Sequence, residues 1–299
     1  MDERAALSLL AEQLPAVGDD AAVVGESVLS TDMLHASTDF PDGTTRYTAG
    51  WRAVAASLSD VAAMGADATA AVAAYGAPAF DREELTDFVA GATDVCEFVG
   101  AEYVGGDLDG HAEFTVATTA LGTTTDPVRR SGARPGDAVC VTGTLGRSAA
   151  AIRLFERGEA ERANDLFRFA PRVVPGLAIG AHASAMMDSS DGLARSLHQL
   201  ADASDCGFSI ESPLPIADVV DAVATDADDR LELGAFFGED FELVFTVPPA
   251  DLPAVRAHCD VPVTRIGRVT APDEGITLDG EPLADRGYTH AGSDGEREP

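Results

Sequence analysis

The sequence contains no lysine: all 20 of its basic residues are arginine, against 51 aspartates and glutamates, and the formal net charge is −31. Without lysine, the phosphate-binding loop GxxxxGK[ST] and the protein-kinase motif set are excluded. The lack of a basic patch disfavours nucleic-acid binding. An acidic chain without lysine is typical of a protein from a high-salt cytoplasm, where a charged, hydrated surface preserves solubility.

Cysteines and long apolar runs are also scarce. The four cysteines, Cys96, Cys140, Cys206 and Cys259, are widely spaced and form no CxxC pair, so no zinc site is predicted and buried free thiols are expected. No apolar stretch approaches the length of about 18 residues that a membrane span requires, and no hydrophobic N-terminal signal is present. We therefore expect a soluble, cytoplasmic protein with no membrane partner.

The 299 residues, 45% of them hydrophobic, are sufficient for two domains. Helical and strand patterns alternate in both halves, which predicts an α/β or α+β pair of domains. The segment DPVRRSGARPGD over 126–137 has two prolines, two glycines and three arginines, so we predict a boundary there, with domains at 1–130 and 131–299. Helices are predicted at 1–14, 50–64, 81–99 and 192–204, strands at 70–75, 114–121, 138–142 and 243–247, and a disordered tail from Gly292.

Several aspartates lie where a soluble protein rarely has a charge. Asp60 lies inside a predicted helix of small apolar residues, and Asp20, Asp107 and Asp188 adjoin strand-like segments or glycine turns. Carboxylates in such places need a cation or several hydrogen-bond donors. Carboxylates gathered at one site raise each other's pKa unless a divalent metal holds them. The pattern therefore predicts a magnesium-rich phosphate site.

Each of these segments also has an ordinary structural explanation. Asp20 can belong to a turn, Asp32 to a turn or cap, and Asp191 to a helix cap. The glycines before Asp107 are typical of a turn whose backbone can approach a phosphate. At the level of function, the alternative is a non-catalytic acidic protein that binds metal. Against it, the acids are scattered over two domains and paired with glycine turns, unlike a contiguous ion-binding loop.

The ordered set of motifs resembles the thiamine-monophosphate kinase family of the aminoimidazole ribonucleotide synthetase-like superfamily. The motifs are GDDAAVV, STDML, SLSDVAAMGA, VGGD, RRSGARPGD, VTGTLG, DSSDGLA, SDCGF and GEDFEL, between about residues 18 and 290. The resemblance implies a two-domain fold, with an N-terminal dimerising domain and a C-terminal α/β domain, and a homodimer. It also implies conversion of thiamine monophosphate to thiamine diphosphate by direct in-line transfer from ATP, assisted by several Mg²⁺ ions.

Two sister enzymes of this superfamily are disfavoured by the cysteines. Selenophosphate synthetases use an N-terminal cysteine or selenocysteine, whereas the first cysteine here is Cys96. A hydrogenase-maturation member ends in a reactive cysteine, whereas this sequence ends GSDGEREP. Because the acceptor of a thiamine-monophosphate kinase is a phosphate oxygen that is already anionic, no general base is required, and no catalytic residue is expected beyond metal-held carboxylates.

The resemblance also implies roles for individual residues. The implied magnesium ligands are Asp20, Ser30, Thr31, Asp32, Asp60, Asp107, Asp188 and Asp191; the implied ATP contacts are Gly106, Asp107, Arg130 and Ser190; the implied substrate contacts are Asp39, Glu239 and Tyr288. Asp19 stays an alternative to Asp20. Asp39 occupies a position where family members often carry histidine, and an acid there favours the cationic thiazolium but repels the phosphate.

Overall fold

The computed structural model describes residues 9, 10, 13, 14 and 17–288. The helix predicted over 1–14 lies mostly outside these residues, and the tail predicted from Gly292 lies wholly outside them. Within the described part of the chain, no helix combines the length and the apolar character needed to cross a membrane.

The first half of the chain forms a five-stranded sheet covered on one face by two helices. Its elements are β1 (Ala22–Val24), β2 (Ser27–His35), α1 (Arg46–Ala63), β3 (Asp67–Ala77), α2 (Arg82–Val99), β4 (Glu102–Gly110) and β5 (Thr115–Thr123). The strand order is β1-β2-β5-β3-β4. The β3–β4 pair is parallel and the other pairs are antiparallel.

Helix α1 is built from small residues because it packs closely on both the sheet and α2. A Cβ added at Gly50 would lie 2.1 Å from the carbonyl oxygen of Phe88 on α2, so only glycine permits this approach. On the sheet side, the buried Thr118 hydroxyl of β5 donates to the Ala53 carbonyl at 3.0 Å and lies 2.7 Å from the Ser57 hydroxyl. These contacts fix the rotation of α1 over strands β2 and β5.

The second half forms a seven-stranded sheet with helices around it. Its elements are β6 (Ala138–Thr142), α3 (Arg147–Glu156), α4 (Ala160–Phe167), α5 (Val173–Gly180), β7 (Ala185–Asp188), α6 (Leu193–Ser204), β8 (Gly207–Ile210), α7 (Ala227–Leu231), β9 (Leu243–Val247), α8 (Leu252–His258), β10 (Val263–Thr270), β11 (Ile276–Leu278) and β12 (Glu281–Pro282). The strand order is β12-β11-β8-β10-β6-β9-β7.

Strands β6 and β9 are fully buried in the second sheet, which explains why each has four apolar residues and a single threonine. Alternate residues face two different cores. Cys140 and Phe245 belong to a core that also contains α1 and the first sheet. Val139 and Val244 belong to a second core with α3 and α6. The two halves therefore share one core, and α1 lies between their sheets.

The structure confirms most predicted elements and corrects one. Strands at 138–142 and 243–247 have the predicted bounds, and Asp81 caps α2 by accepting from the Glu83 and Glu84 amides. The glycine turn predicted before Asp107 is wrong, because Gly105 and Gly106 lie inside strand β4. All four cysteines are free thiols, three of them buried, whereas Cys259 is partly exposed.

Candidate active site

Three aspartates from distant parts of the chain meet where the two halves adjoin. Asp20, Asp60 and Asp188 each offer a carboxylate oxygen within 4.8 Å of the others. The Asp188 residue and the Asp20 side chain have no exposed surface, and Asp60 is partly buried. We call these three residues the acid cluster. Their oxygens are the hard ligands that Mg²⁺ prefers in proteins.

Each member of the acid cluster is brought in by a different element. Asp20 precedes β1, Asp60 lies on the buried side of α1, and Asp188 ends β7. The Ser30 hydroxyl of β2 donates to Asp60, and the Ser59 hydroxyl of α1 donates to Asp188 Oδ2 at 2.7 Å. The cluster thus depends on α1 packing against β2 and β7 together.

The electrostatics of the acid cluster favour a cation. Burial, and then the charges of Asp188 and Asp20, raise the pKa of Asp60 well above its ordinary value, against the hydrogen bond from Ser30. Burial and the charge of Asp20 raise the pKa of Asp188 to about 7, although hydrogen bonds from Ser59 and Ser190 oppose this. Carboxylates whose charge is this costly gain most from a divalent metal.

Arg130 is the cation that contacts the acid cluster within the described chain. Its guanidinium donates to both oxygens of Asp20, at 3.0 and 3.2 Å. Burial lowers the pKa of Arg130, but the charge and hydrogen bonds of Asp20 outweigh burial and the net shift is upward. Asp19 points elsewhere, to Arg129 at 2.6 Å and the Arg130 amide at 3.0 Å. Of the two neighbouring acids, Asp20 is therefore the one in the cluster.

A polar cavity of about 190 Å³ opens from Asp60. Asp32 of β2 and the Ser190–Asp191 pair before α6 line it, so these predicted residues lie near the acid cluster. The Gln199 amide donates to Asp191 Oδ2 at 3.4 Å, and the Asp191 carbonyl accepts the Tyr288 amide at 3.1 Å. The cavity has the size and the oxygen-rich wall of a phosphate site.

A larger cavity of about 540 Å³ adjoins the first. Its walls combine aromatic rings and carboxylates, contributed by Phe40, Phe155, Phe167, Phe237, Asp39, Asp42, Glu156, Glu239 and Tyr288. The three predicted substrate residues, Asp39, Glu239 and Tyr288, line both cavities. An aromatic, acidic wall suits a flat cationic ring.

Asp39 has a structural role besides facing the cavities. Its Oδ2 accepts the His35 amide at 2.7 Å and the Thr38 hydroxyl at 2.7 Å, which closes the turn after β2. One carboxylate oxygen is therefore engaged within the turn. The preference of aspartate for such turns accounts for this position without any ligand.

Three predicted site residues do not join the acid cluster within one chain. The Thr31 hydroxyl lies on the opposite face of β2 and donates to the Thr118 carbonyl at 2.9 Å, which leaves the Thr31 backbone carbonyl as its candidate ligand. Gly106 lies three strands across the sheet from Asp32, with Thr118 and Ala73 as the paired residues between them. Three strand spacings put Gly106 about 14 Å from Asp32.

Asp107 likewise lies apart from the acid cluster of its own chain. Asp107 is exposed, shares the sheet face of Met33, and accepts the Leu108 amide at 3.0 Å. A Cβ at the preceding Gly106 would lie 1.7 Å from the Ala73 carbonyl oxygen, so this glycine is required for close strand pairing. The VGGD sequence thus has a structural reason that does not involve a phosphate.

Two buried residues at the site were missed by sequence reasoning. Ser59 holds Asp188, and Arg52 of α1 pairs with Glu239 at 2.5 Å. A serine next to Asp60 was a weak signal, and an arginine on an amphipathic helix ordinarily lies at the surface. Only the packing of α1 between the two sheets buries both.

This fold and site define an AIR synthase related protein. The family model for the AIR synthase related protein, N-terminal domain, matches residues 18–124. The model for the AIR synthase related protein, C-terminal domain, matches residues 134–279. The two matches together cover most of the chain and every strand of the two sheets except β12.

Within this class, the chain belongs to the thiamine-monophosphate kinase family. It is 64% identical to the thiamine-monophosphate kinase of Halobacterium salinarum, over 97% of this chain and 100% of that protein. It is 44% identical to the thiamine-monophosphate kinase of Methanospirillum hungatei, over 91% of this chain and 92% of that protein. The solved structure of AaThiL complexed with AMPPCP and TMP is similar with a TM-score of 0.87 and 28% identity, over 97% of both chains.

Proposed function

We propose that this protein transfers the γ-phosphoryl group of ATP to thiamine monophosphate, giving thiamine diphosphate and ADP. The observation that carries the proposal is the acid cluster of Asp20, Asp60 and Asp188, which lies beside two joined cavities of suitable size. Membership of the thiamine-monophosphate kinase family supports the same reaction. So does the similar structure of AaThiL complexed with AMPPCP, an ATP analogue, and TMP.

We propose Mg²⁺ at the acid cluster. The fit rests on the donor set: three carboxylates, buried or partly buried, offer oxygens within 4.8 Å of one another. Asp32 and Asp191 add carboxylates at the adjoining cavity, and Ser30 and the Thr31 carbonyl complete the candidate ligands. Bound Mg²⁺ would offset the charge repulsion between two phosphate-bearing molecules.

The substrate fits the two cavities in one orientation. The thiazolium and pyrimidine rings would occupy the larger cavity, among Phe40, Phe155 and Phe237. The phosphate would point into the smaller cavity, toward Asp60. Glu239 and Tyr288 line the passage between them and are therefore proposed to contact the substrate. The acids of the larger cavity would favour the cationic ring.

The nucleotide would approach the acid cluster from the side of Arg130 and Ser190. Arg130 is held against Asp20 and supplies a fixed guanidinium, which can bind phosphate oxygens bidentately. The acceptor oxygen of a phosphate monoester is ionised at neutral pH, so the reaction requires alignment and charge neutralisation rather than a base. We propose direct transfer without a phosphoenzyme, in which no described side chain becomes phosphorylated.

We propose a homodimer formed through the open face of the first sheet. This face exposes the apolar side chains of Leu29, Met33, Val72 and Leu121. Such a contiguous apolar face indicates a protein interface. Asp107 lies on the same face, so dimerisation would bring Asp107 and Gly106 to a nucleotide bound across the interface. The domain boundary at 130/131 is part of the same proposal, because it assigns this whole sheet to a dimerising N-terminal domain.

We propose that the protein functions in a high-salt cytoplasm. The support is its composition, with a net charge of −31 and arginine as its basic residue throughout. A surface with this charge repels itself in dilute buffer and is screened at molar salt. The 64% identity to a relative from Halobacterium salinarum agrees with this proposal.

The experiment is turnover of ATP with thiamine monophosphate and Mg²⁺ in molar KCl, with chromatography of all products. Equal amounts of thiamine diphosphate and ADP are expected. ADP without thiamine diphosphate would indicate a sister enzyme with another acceptor. A folded sample that binds Mg²⁺ but makes neither product would favour the acidic metal-binding protein.

A further inference from the structure

Arg52 is a buried charge in a place that the proposed reaction does not explain. Its side chain is 1% exposed, on the side of α1 that faces the second half of the chain. Its guanidinium lies 3.7 Å from the centroid of the Phe167 ring and within 6 Å of the Phe169 and Phe241 rings. A charge among aromatic rings is tolerated only when it is paired and hydrogen-bonded.

The hydrogen bonds of Arg52 converge on Glu239. Nη2 donates to the Glu239 carbonyl at 3.1 Å and to Glu239 Oε2 at 2.5 Å. Nη1 donates to the Phe167 carbonyl at 2.7 Å and to the Ser148 hydroxyl at 3.3 Å. The Ser148 hydroxyl in turn donates to the Glu239 carbonyl. Arg52 therefore holds both the backbone and the carboxylate of one residue.

The Glu239 backbone is in a conformation that needs this support. Its φ is +64°, and φ of Phe241 is +54°, both in the left-handed region that non-glycine residues avoid. The Glu239 amide donates to the Ser190 carbonyl at 2.6 Å, and the Phe241 ring stacks on Phe169 with centroids 4.1 Å apart. Strained residues persist when surrounding contacts over-determine them, and they concentrate at functional sites.

The side chains of the pair have very different surroundings. Arg52 is buried, whereas 27% of the Glu239 side chain is exposed, at the passage between the two cavities. Since Oε2 is bound to Arg52, the other oxygen of Glu239 is available to a ligand in that passage. The ion pair also reduces the repulsion that an isolated carboxylate would exert on a substrate phosphate.

We propose that Arg52 is a positioning residue that fixes the Glu239 carboxylate between the two cavities and thereby sets the affinity for thiamine monophosphate. This inference rests on the proposed function of Glu239 as a substrate contact. Arg52 is among the residues that line the smaller cavity. Both of its terminal nitrogens donate to protein acceptors, so we assign it an action through Glu239. Because α1 also carries Asp60, one helix of the first half would then control both the acid cluster and the substrate passage.

The test is steady-state kinetics of Arg52→Lys in molar KCl, with thiamine monophosphate and ATP varied separately. Lysine keeps the charge but cannot reproduce the two-pronged contact of arginine. We expect KM for thiamine monophosphate to rise about tenfold and KM for ATP to change less than about twofold. The matched control is Arg172→Lys. Arg172 pairs with Glu242, which is buried and lies three residues after Glu239, and neither residue of this pair lines one of the two cavities. Equal KM changes in the two variants would overturn the inference.

A second substitution separates positioning from general damage. Glu239→Ala should itself raise KM for thiamine monophosphate, and in that background Arg52→Lys should change this KM less than about twofold. Effects that multiply, or an unchanged KM in Glu239→Ala, would overturn the role of Arg52. Failure of the native protein to phosphorylate thiamine monophosphate would overturn the proposed function and this inference together. If the native protein is active and the effects of the two substitutions on this KM multiply, the inference alone is overturned.

Discussion

The Ser59 hydroxyl donates a 2.7 Å hydrogen bond to Asp188 Oδ2, so a serine of the first half holds a carboxylate of the second. Both residues are fully buried. Since the next residue on α1 is Asp60, two consecutive side chains bring the halves together at the acid cluster. The geometry of this cluster is thus inseparable from the packing of α1 against β7.

Ser59→Ala should weaken Mg²⁺ binding and reduce stability. The substitution removes a donor from a buried carboxylate, for which we expect a loss of about 1–3 kcal/mol in the free energy of unfolding. The measurement is denaturant unfolding in molar KCl, with and without Mg²⁺. Ser57→Ala is the matched control, because Ser57 is a buried serine of the same helix that contacts Thr118 instead. An unchanged Mg²⁺ dependence in Ser59→Ala would contradict the assigned role.

Asp60→Asn should abolish turnover while the fold stays intact. Asparagine keeps the shape and can still accept from Ser30, but it removes the charge that would bind Mg²⁺, so we expect a loss of at least about hundredfold in kcat. The metal-free variant should be more stable than the native protein, because repulsion with Asp188 and Asp20 is relieved. Turnover and unfolding are measured on the same samples. Asp87→Asn removes the same charge from an exposed position of α2 and is the control.

The metal-free protein should lose stability as pH rises from about 4 to about 7. Burial and neighbouring charges raise the pKa of Asp60 and Asp188, and burial raises the pKa of Asp240, the last two to about 7. Unfolded aspartate has a pKa near 3.9, so in this window the folded state binds more protons than the unfolded state. Its free energy of unfolding therefore falls as the pH rises through this window.

The check is denaturation with EDTA in molar KCl at several pH values. The free energy of unfolding should fall less steeply with pH in Asp60→Asn than in the native protein. Added Mg²⁺ should stabilise the native protein more at pH 8 than at pH 6, because metal binds the deprotonated carboxylates. A slope that is equal in the two proteins would show that Asp60 holds no extra proton in the folded state.

Mixed dimers should recover activity that each parent variant lacks. If Asp107 serves the nucleotide site of the partner chain, each site combines Asp60 of one chain with Asp107 of the other. In a mixed dimer of Asp60→Asn and Asp107→Asn, both substitutions then fall in one site and the other site is intact. Coexpression with two affinity tags isolates the mixed dimer, which should contain one intact site and about half of the native kcat per dimer. Mixed dimers as inactive as the parents would assign Asp107 to the site of its own chain, and a purely monomeric native protein would remove the dimer.

The sequence was informative where a residue contradicted its local setting. Asp60 stands out because a charge in a helix of alanine, valine and leucine has no local reason, and the structure brings it against Asp20 and Asp188. Strand β9 was equally clear, since four of its five residues are apolar, which suits a sheet buried on both faces. Such signals can be recognised from the neighbouring residues alone, without knowledge of the fold.

The rest depended on which face of an element a residue occupies. Asp107 was grouped with the other acids, yet alternation along β4 turns it to the open face of the sheet, with Met33. Arg52 resembled a surface arginine, because nothing in the sequence near it indicates that α1 is covered on both sides. The partner of Arg52, Glu239, lies 187 residues away, and such pairs are specified only by tertiary packing.

The acid cluster lies at the contact between the two halves, so its charge affects how firmly they are held together. The three carboxylates have oxygens within 4.8 Å of one another and repel each other when charged. Hydrogen bonds from Arg130, Ser30 and Ser59 offset part of this repulsion. A divalent ion that enters would remove the repulsion and draw the same surfaces together. The metal concentration would then affect the stability of the contact between the halves as well as the chemistry at the site.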